Sequence, residues 1–236
     1  GVITVNNPPV NALSSAVRQG LLDAITTAQS DASEAVVIFC EGKTFIAGAD
    51  ITEFGKPFQE PGLPGLLDTI EASSKLVVAA IHGTALGGGF ETALAAHYRC
   101  AVPSAKIGLP EVNLGLLPGA GGTQRTPRLA GVKASLDLIT SGAPIAVGEA
   151  AVIGLIDKII NGDLRDGALA WAKSLVASGA PIRRSSELSI PDYDAAIFDE
   201  YRAALGKRAR GQIAPACIVS AVEAATTMTF EEGQRV

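Results

Sequence analysis

The sequence predicts an α/β domain with a helical C-terminal region, and three observations carry that prediction. Residues 35–39 and 76–81 are short, wholly apolar runs, the pattern of strands buried on both faces. Stretches with apolar residues at helical spacing separate such runs, the alternation of a layered α/β architecture. Beyond about residue 186 the strand-like runs stop and only helical spacing continues. A composition of 47% hydrophobic and 18% charged residues over 236 positions allows a sizeable core without disulfides or metals.

Val2 to Val5 reads as a strand, and Asn6-Asn-Pro-Pro9 as a turn. Ser14 or Ser15 can cap a helix carrying Val17, Leu21, Leu22 and Ile25 on one face. Residues 35–39 form the next strand, 42–50 a loop, and 57–65 a Pro- and Gly-rich stretch before a helix ending near 74. The strand at 76–81 closes on a glycine-rich turn, 83–89, and a helix starts near Phe90. Short strands are expected at 98–102 and 105–108, then a glycine-punctuated loop, 115–122, opening a helix at about Gly121. Helices continue to about Ala151, 156–160 is a strand, and 164–177 is helical. We divide the chain into an α/β core, 1–185, and a helical segment, 186–236, that includes a linker-like stretch at 189–193.

Several function classes are disfavoured. With 19 basic and 24 acidic residues the net charge is −5, which gives no footprint for nucleic acid. Cys40, Cys100 and Cys217 are far apart, no C-x-x-C exists, and His82 and His97 are the two imidazoles, so no metal site is expected. Cys40 and Cys100 read as buried thiols and both histidines as structural. No apolar run approaches a membrane span and no signal peptide opens the chain, so a soluble, intracellular protein is expected. The single methionine is Met228, and without an initiator the chain reads as a piece of a longer polypeptide.

Two glycine clusters, Gly87-Gly-Gly89 and Gly119-Ala-Gly-Gly122, complete neither a G-x-G-x-x-G fingerprint nor a P-loop. Each lies where a helix begins, so free backbone N–H groups and the helix dipole favour negative charge there. Tight packing is the competing explanation for either cluster alone. Glu91 and Glu111 shift the balance, because each sits in apolar surroundings beside a glycine junction. A buried carboxylate is paired, hydrogen-bonded or functional. Pairing with Arg99 or Arg125 would explain one such glutamate; two suggest an acid/base pair around a small substrate.

The segments Gly42-Lys-Thr-Phe-Ile-Ala-Gly-Ala-Asp-Ile51, Ile81-His-Gly-Thr-Ala-Leu-Gly-Gly-Gly-Phe-Glu91 and Gly108-Leu-Pro-Glu-Val-Asn-Leu-Gly-Leu-Leu-Pro-Gly-Ala-Gly-Gly-Thr-Gln-Arg125, with Asn11-Ala-Leu13, resemble the signatures of the crotonase (enoyl-CoA hydratase/isomerase) family, in family order. The resemblance implies a core spiral of ββα turns that binds an acyl-CoA and adds water across a 2-enoyl thioester. It places the catalytic carboxylates at Glu91 and Glu111 and the oxyanion-hole N–H groups at Ala49 and Gly88. It sets Gly119 beside the catalytic water. Lys43, Ala47, Asp50 and Ile51 would meet the CoA moiety, with Lys56 a further phosphate contact.

No cofactor is implied beyond the substrate's own coenzyme A. A Δ3-Δ2-enoyl-CoA isomerase in the same pocket and a non-catalytic acyl-CoA-binding module are the competing readings. Phe230-Glu-Glu-Gly233 resembles the lead into the dehydrogenase half of a bifunctional hydratase/3-hydroxyacyl-CoA dehydrogenase, so such a partner domain is expected in the full chain. No dinucleotide fingerprint lies within these residues. The expected location is the cytoplasm of a bacterium or, in a eukaryote, the peroxisome. Tyr193, Ile197, Phe198, Tyr201 and Leu205 approximate one apolar helical face. We expect it to fold back over its own domain near the acyl pocket, leaving the isolated piece a monomer or a weak oligomer.

Overall fold

The computed structural model describes residues 1–236 apart from 54, 58, 209 and 210, and at 51, 207 and 208 it describes the backbone alone. The chain opens with strand β1 (Val2–Val5), helix α1 (Ser15–Ser30) and strand β2 (Ala35–Cys40). Ser14 is the cap of α1: its side chain accepts the N–H of Val17, a residue placed to close the first turn. Helix α2 (Leu63–Glu71) starts with a proline in its first turn, where the missing N–H costs nothing. It leads into β3 (Leu76–Ile81), then β4 (Thr84–Leu86) and α3 (Gly88–Ala95).

The motif repeats as β5 (Tyr98–Ala101), β6 (Lys106–Gly108), a 3-10 turn over Pro110–Leu114, and α4 (Gly122–Ala130). Then come α5 (Val132–Ser141), β7 (Ile145–Ala146), α6 (Val147–Val152), β8 (Lys158–Ile159) and α7 (Leu164–Ala177). The tail holds α8 (Ala196–Arg208), α9 (Ala214–Thr227) and α10 (Phe230–Gly233).

Two sheets result. The larger is parallel throughout, in the order β1-β2-β3-β5-β8, with Val37 opposite Val78 and Val78 opposite Tyr98. Every residue of β3 is buried, as a central parallel strand covered on both faces must be. The smaller sheet has the order β4-β6-β7, with β6 and β7 antiparallel. Passing from β3 into β4 and from β5 into β6 before each helix gives the expected ββα turns.

Three expectations change. Residues 84–86 of the presumed glycine turn pair with β6 as a strand, and α3 begins at Gly88, ahead of Phe90. The expected helical run to Ala151 is interrupted at 142–146, where Gly142 adopts φ 60° and Pro144 follows, so β7 intervenes. The strand expected over 156–160 is only Lys158–Ile159.

One apolar cluster fills the space between the sheets and helices α1–α6. A second lies under α7, where Trp171 meets Tyr98 edge-on at 6.0 Å between ring centroids. The tail joins the first cluster: Phe198, Ile218, Val219 and Val222 are buried in it, and α9 packs on α4 and α5. The connecting segment is held by polar contacts. Arg183 pairs with Asp157 at 2.6 Å and donates to the carbonyl of His97, and Ser185 donates to the Glu71 carboxylate at 2.7 Å. Among the described residues no helix is long and apolar enough to cross a membrane.

Candidate active site

Glu91 lies in the first turn of α3 with 2% of its surface exposed. Its Oε1 accepts two backbone hydrogen bonds, from Ala120 and Gly122, each 2.8 Å long. Both donors belong to the glycine loop that starts α4, so the carboxylate caps a helix N-terminus. Neither arginine offered as a partner pairs with it. Arg99 pairs with Asp157 at 3.3 Å, and Arg125 with Glu71 at 2.8 Å. Gly119, which the resemblance sets beside the catalytic water, lines the same cleft, and the N–H groups one and three positions further on hold Glu91.

Glu111 stands in the first turn of the 3-10 segment, half-buried, and its Oε2 is buried with no hydrogen-bond partner among the described residues. The carboxyl lies against Gly87, which has φ 52°; a Cβ there would come within 3.1 Å of Oε1. Burial first, and the neighbouring Glu91 second, push the Glu111 carboxyl up to about 7. Burial raises Glu91 as well, but the N–H groups of Gly122 and Ala120 and the charge of Arg125 oppose the rise. Both carboxyls are therefore raised by burial, and Glu91 alone has the two loop N–H donors to favour its charged form.

Two further N–H groups point into the same space. Ala49 forms an isolated parallel bridge with Leu13, in which the N–H of Leu13 bonds the carbonyl of Gly48 at 2.9 Å. Parallel bridging engages the neighbours of Ala49 and turns its own N–H away. Gly88 is the first residue of α3, so its N–H has no intrahelical acceptor. Neither N–H donates to a protein group among the described residues. A Cβ on Gly88 would lie 3.9 Å from the Ala49 nitrogen, so the two donors are neighbours.

These groups line one cleft of about 470 Å³, which takes in Ala49, Gly88, Glu91, Glu111, Gly119 and Ala120. Asp50, Lys56, Leu63 and Pro64 form other parts of its wall. Lys43 is exposed and Ala47 half-buried, and neither lines the cleft. The side chain of Ile51 lies outside the described residues. Asp50 accepts the N–H of Thr52 at 2.9 Å, and hydrogen bonds from Thr52 hold its carboxyl below the usual range.

Arg18 was missed in the sequence. It donates to the carbonyls of Leu13, Gln59 and Pro61 and pairs with Glu53 at 2.9 Å, tying α1 to the cleft wall. The signal was present: Arg18 falls on the buried stripe with Leu21, Ile25 and Ala28, where a charge needs partners.

The other singled-out residues are structural. His97 accepts from the N–H of Val77 and faces the carbonyl of Glu71, both at 3.0 Å, and burial lowers its pKa. His82 stacks on Phe39, centroids 5.9 Å apart. Cys40 and Cys100 are buried, and burial raises both thiols, Cys100 to about 12.

Residues 1–187 match the family model described as enoyl-CoA hydratase/isomerase. The chain belongs to the enoyl-CoA hydratase/isomerase family. Among curated members of that family it is 47% identical over 235 residues to a peroxisomal bifunctional enzyme of Danio rerio, covering 98% of this chain and 33% of that protein. It is 46% identical over 163 residues to a probable enoyl-CoA hydratase of Bacillus subtilis, covering 66% of this chain and 63% of the relative. A crystal structure of enoyl-CoA hydratase from Bacillus anthracis superposes with a TM-score of 0.68 at 34% identity, over 75% of this chain and 73% of that one. The chain thus spans about a third of the length of the bifunctional relatives in the family.

Proposed function

We propose that this chain hydrates 2-enoyl-CoA thioesters. The observation that carries the reading is the pair of glutamates on one cleft, one held by two loop N–H groups and one without such donors, beside two backbone N–H groups that donate to no protein group among the described residues. The thioester oxygen fits between the N–H groups of Ala49 and Gly88, where negative charge builds as the enolate forms. One donor in such a hole contributes about 3–4 kcal/mol of transition-state stabilisation. Glu91, whose carboxylate form the two N–H donors and Arg125 favour against the burial that raises it, takes a proton from water as the water oxygen bonds to Cβ. Glu111, raised towards neutrality, delivers its proton to Cα. Proton exchange with solvent then resets the pair. Lys56 and Asp50 at the cleft wall are the proposed contacts of the CoA moiety, and Lys43 and Ala47 remain proposals for its outer reach.

The names of the longer relatives, and the third of their length that this chain covers, support a full protein in which a second catalytic half follows. A 3-hydroxyacyl-CoA dehydrogenase would consume the hydration product directly. Relatives named peroxisomal and glyoxysomal support the same address in a eukaryotic host, and in a bacterial host the proposed location is the cytoplasm.

Loss of the conjugated absorbance of a 2-enoyl-CoA, followed with the purified chain, tests the reading. Turnover lowered at least ~100-fold in each of Glu91→Gln and Glu111→Gln is the expected result. No hydration with retained isomerisation of a 3-enoyl-CoA favours the isomerase, and tight acyl-CoA binding without any turnover favours a binding module.

A further inference from the structure

We propose that Phe230, in the C-terminal tail, is a positioning residue for hydration: its ring lids Arg125, whose guanidinium fixes the loop that holds Glu91. The inference rests on the hydratase reading and adds a tail residue to the machinery. Arg125 is fully buried. Its Nη1 donates to the carbonyl of Ala120 at 3.1 Å, and the N–H of that same residue donates to Glu91 Oε1. Its Nη2 is held by Glu71 at 2.8 Å, and Glu71 in turn accepts from Ser185 and from the N–H of Ser186. A continuous chain of contacts therefore runs from the connecting segment through Glu71, Arg125 and Ala120 to the Glu91 carboxylate.

Its open side is closed by the tail. The ring of Phe230 lies over the Arg125 guanidinium, centroid to Cζ 4.6 Å, and reaches Arg128 at 5.5 Å. Arg125 Nε is buried with no hydrogen-bond partner among the described residues, and the same guanidinium lies under the ring. A desolvated cation over an aromatic face is stabilised electrostatically, which an aliphatic group of the same size cannot reproduce. Phe230 is itself held: Thr229 and Glu232 form a reciprocal capping box around it. Gln124, on the same turn of α4 as Arg125, donates to the carbonyl of Ala221 on α9 at 2.8 Å, a second bond between tail and loop.

The experiment compares Phe230→Leu and Phe230→Tyr with the wild-type chain. Leucine keeps an apolar filler and removes the ring; tyrosine keeps the ring. In Phe230→Leu we expect kcat for 2-enoyl-CoA hydration to fall about tenfold with KM within about twofold, since small displacements of a catalytic group cost rate. Phe230→Tyr should return to the wild-type rate. Hydrogen exchange of the Ala120 and Gly122 amides, which needs no turnover, should quicken about tenfold in Phe230→Leu and recover in Phe230→Tyr. Unchanged kcat in an active enzyme, or unchanged exchange at both amides, overturns the proposal. Equal defects in the leucine and tyrosine variants also overturn it, because they assign the effect to packing alone. A wild-type chain that does not hydrate defeats the hydratase reading, and the exchange measurement still decides the coupling between ring and loop.

Discussion

At neutral pH a carboxyl with a midpoint of about 7 is divided between its two forms, and Glu111 is such a group. As the proposed acid it must carry its proton, so hydration should decline as pH rises through about 7, with the slope of a single group. A pH–rate profile checks this; an activity flat from pH 6 to 9 would remove Glu111 as the acid. Glu91→Gln and Glu111→Gln should each lower turnover at least ~100-fold while leaving the far-UV circular dichroism unchanged. The same carboxyl bears on stability. Its folded pKa is raised above the ordinary 4.5, so the proton stabilises the fold fully below about 4.5, and that contribution is lost as pH rises through about 7. Glu111→Gln removes the charge that burial penalises. Its Tm should therefore exceed that of wild type at pH 8 and approach it at pH 5, as thermal melts at the two pH values would read. A lower Tm at pH 8 would show that the amide cannot fill the carboxylate's place.

Among the elements, α3 bears most on the chemistry, because its first residue offers an N–H and its first turn carries Glu91. Gly88→Ala keeps the N–H and adds a methyl that would lie 2.8 Å from Leu63 Cδ2 and 3.4 Å from Leu13 Cδ1. Gly88 is not among the positive-φ glycines, so strain in the backbone adds nothing, and the end of Leu63 can move. We predict a loss of rate of about 100-fold with a small change in Tm, from a methyl set between the thioester and its donors. Near-normal rate would show that the substrate passes elsewhere.

The parallel strands, α1, α7 and the glycine-opened α4 were legible in the sequence because their signals are local: all-apolar runs, a capping serine, helical spacing. The short strands β4 and β7 were not, since two or three residues carry no periodicity and their pairing comes from β6, more than twenty positions from either partner's neighbours in one case and nearly forty in the other. Glu91, Glu111, Ala49 and Gly88 could be singled out by motif. The holders of Glu91 and the partners of Arg18 could not, because both depend on residues brought together only by the fold.

At the scale of the whole molecule, α8–α10 decide how the chain behaves in isolation. Phe198, Ile218, Val219 and Val222 are buried in the main cluster, and each such side chain stabilises the fold by about 1.5–3 kcal/mol. Their sum is comparable with the whole stability of a domain, about 5–15 kcal/mol. Removing residues 187–236 should therefore abolish the cooperative thermal transition rather than merely weaken acyl-CoA binding. A truncated chain that melts cooperatively near the wild-type temperature would mean the tail is dispensable. Of the face expected in the tail, Tyr193 lies before α8 and is exposed, but Ile197, Phe198, Tyr201 and Leu205 pack on the chain's own core. Light scattering at micromolar concentration should therefore give the monomer mass of 24.0 kDa; a stable trimer would show another apolar surface at work. For anyone splicing this unit onto a different polypeptide, the packing of α9 on α4 fixes where the scissors go. A junction at 187, where the match to the family model ends, would leave behind the pieces that seal the interior. Donor and recipient should be exchanged as one uninterrupted block through Gly233, so that the graft travels with its own keystone.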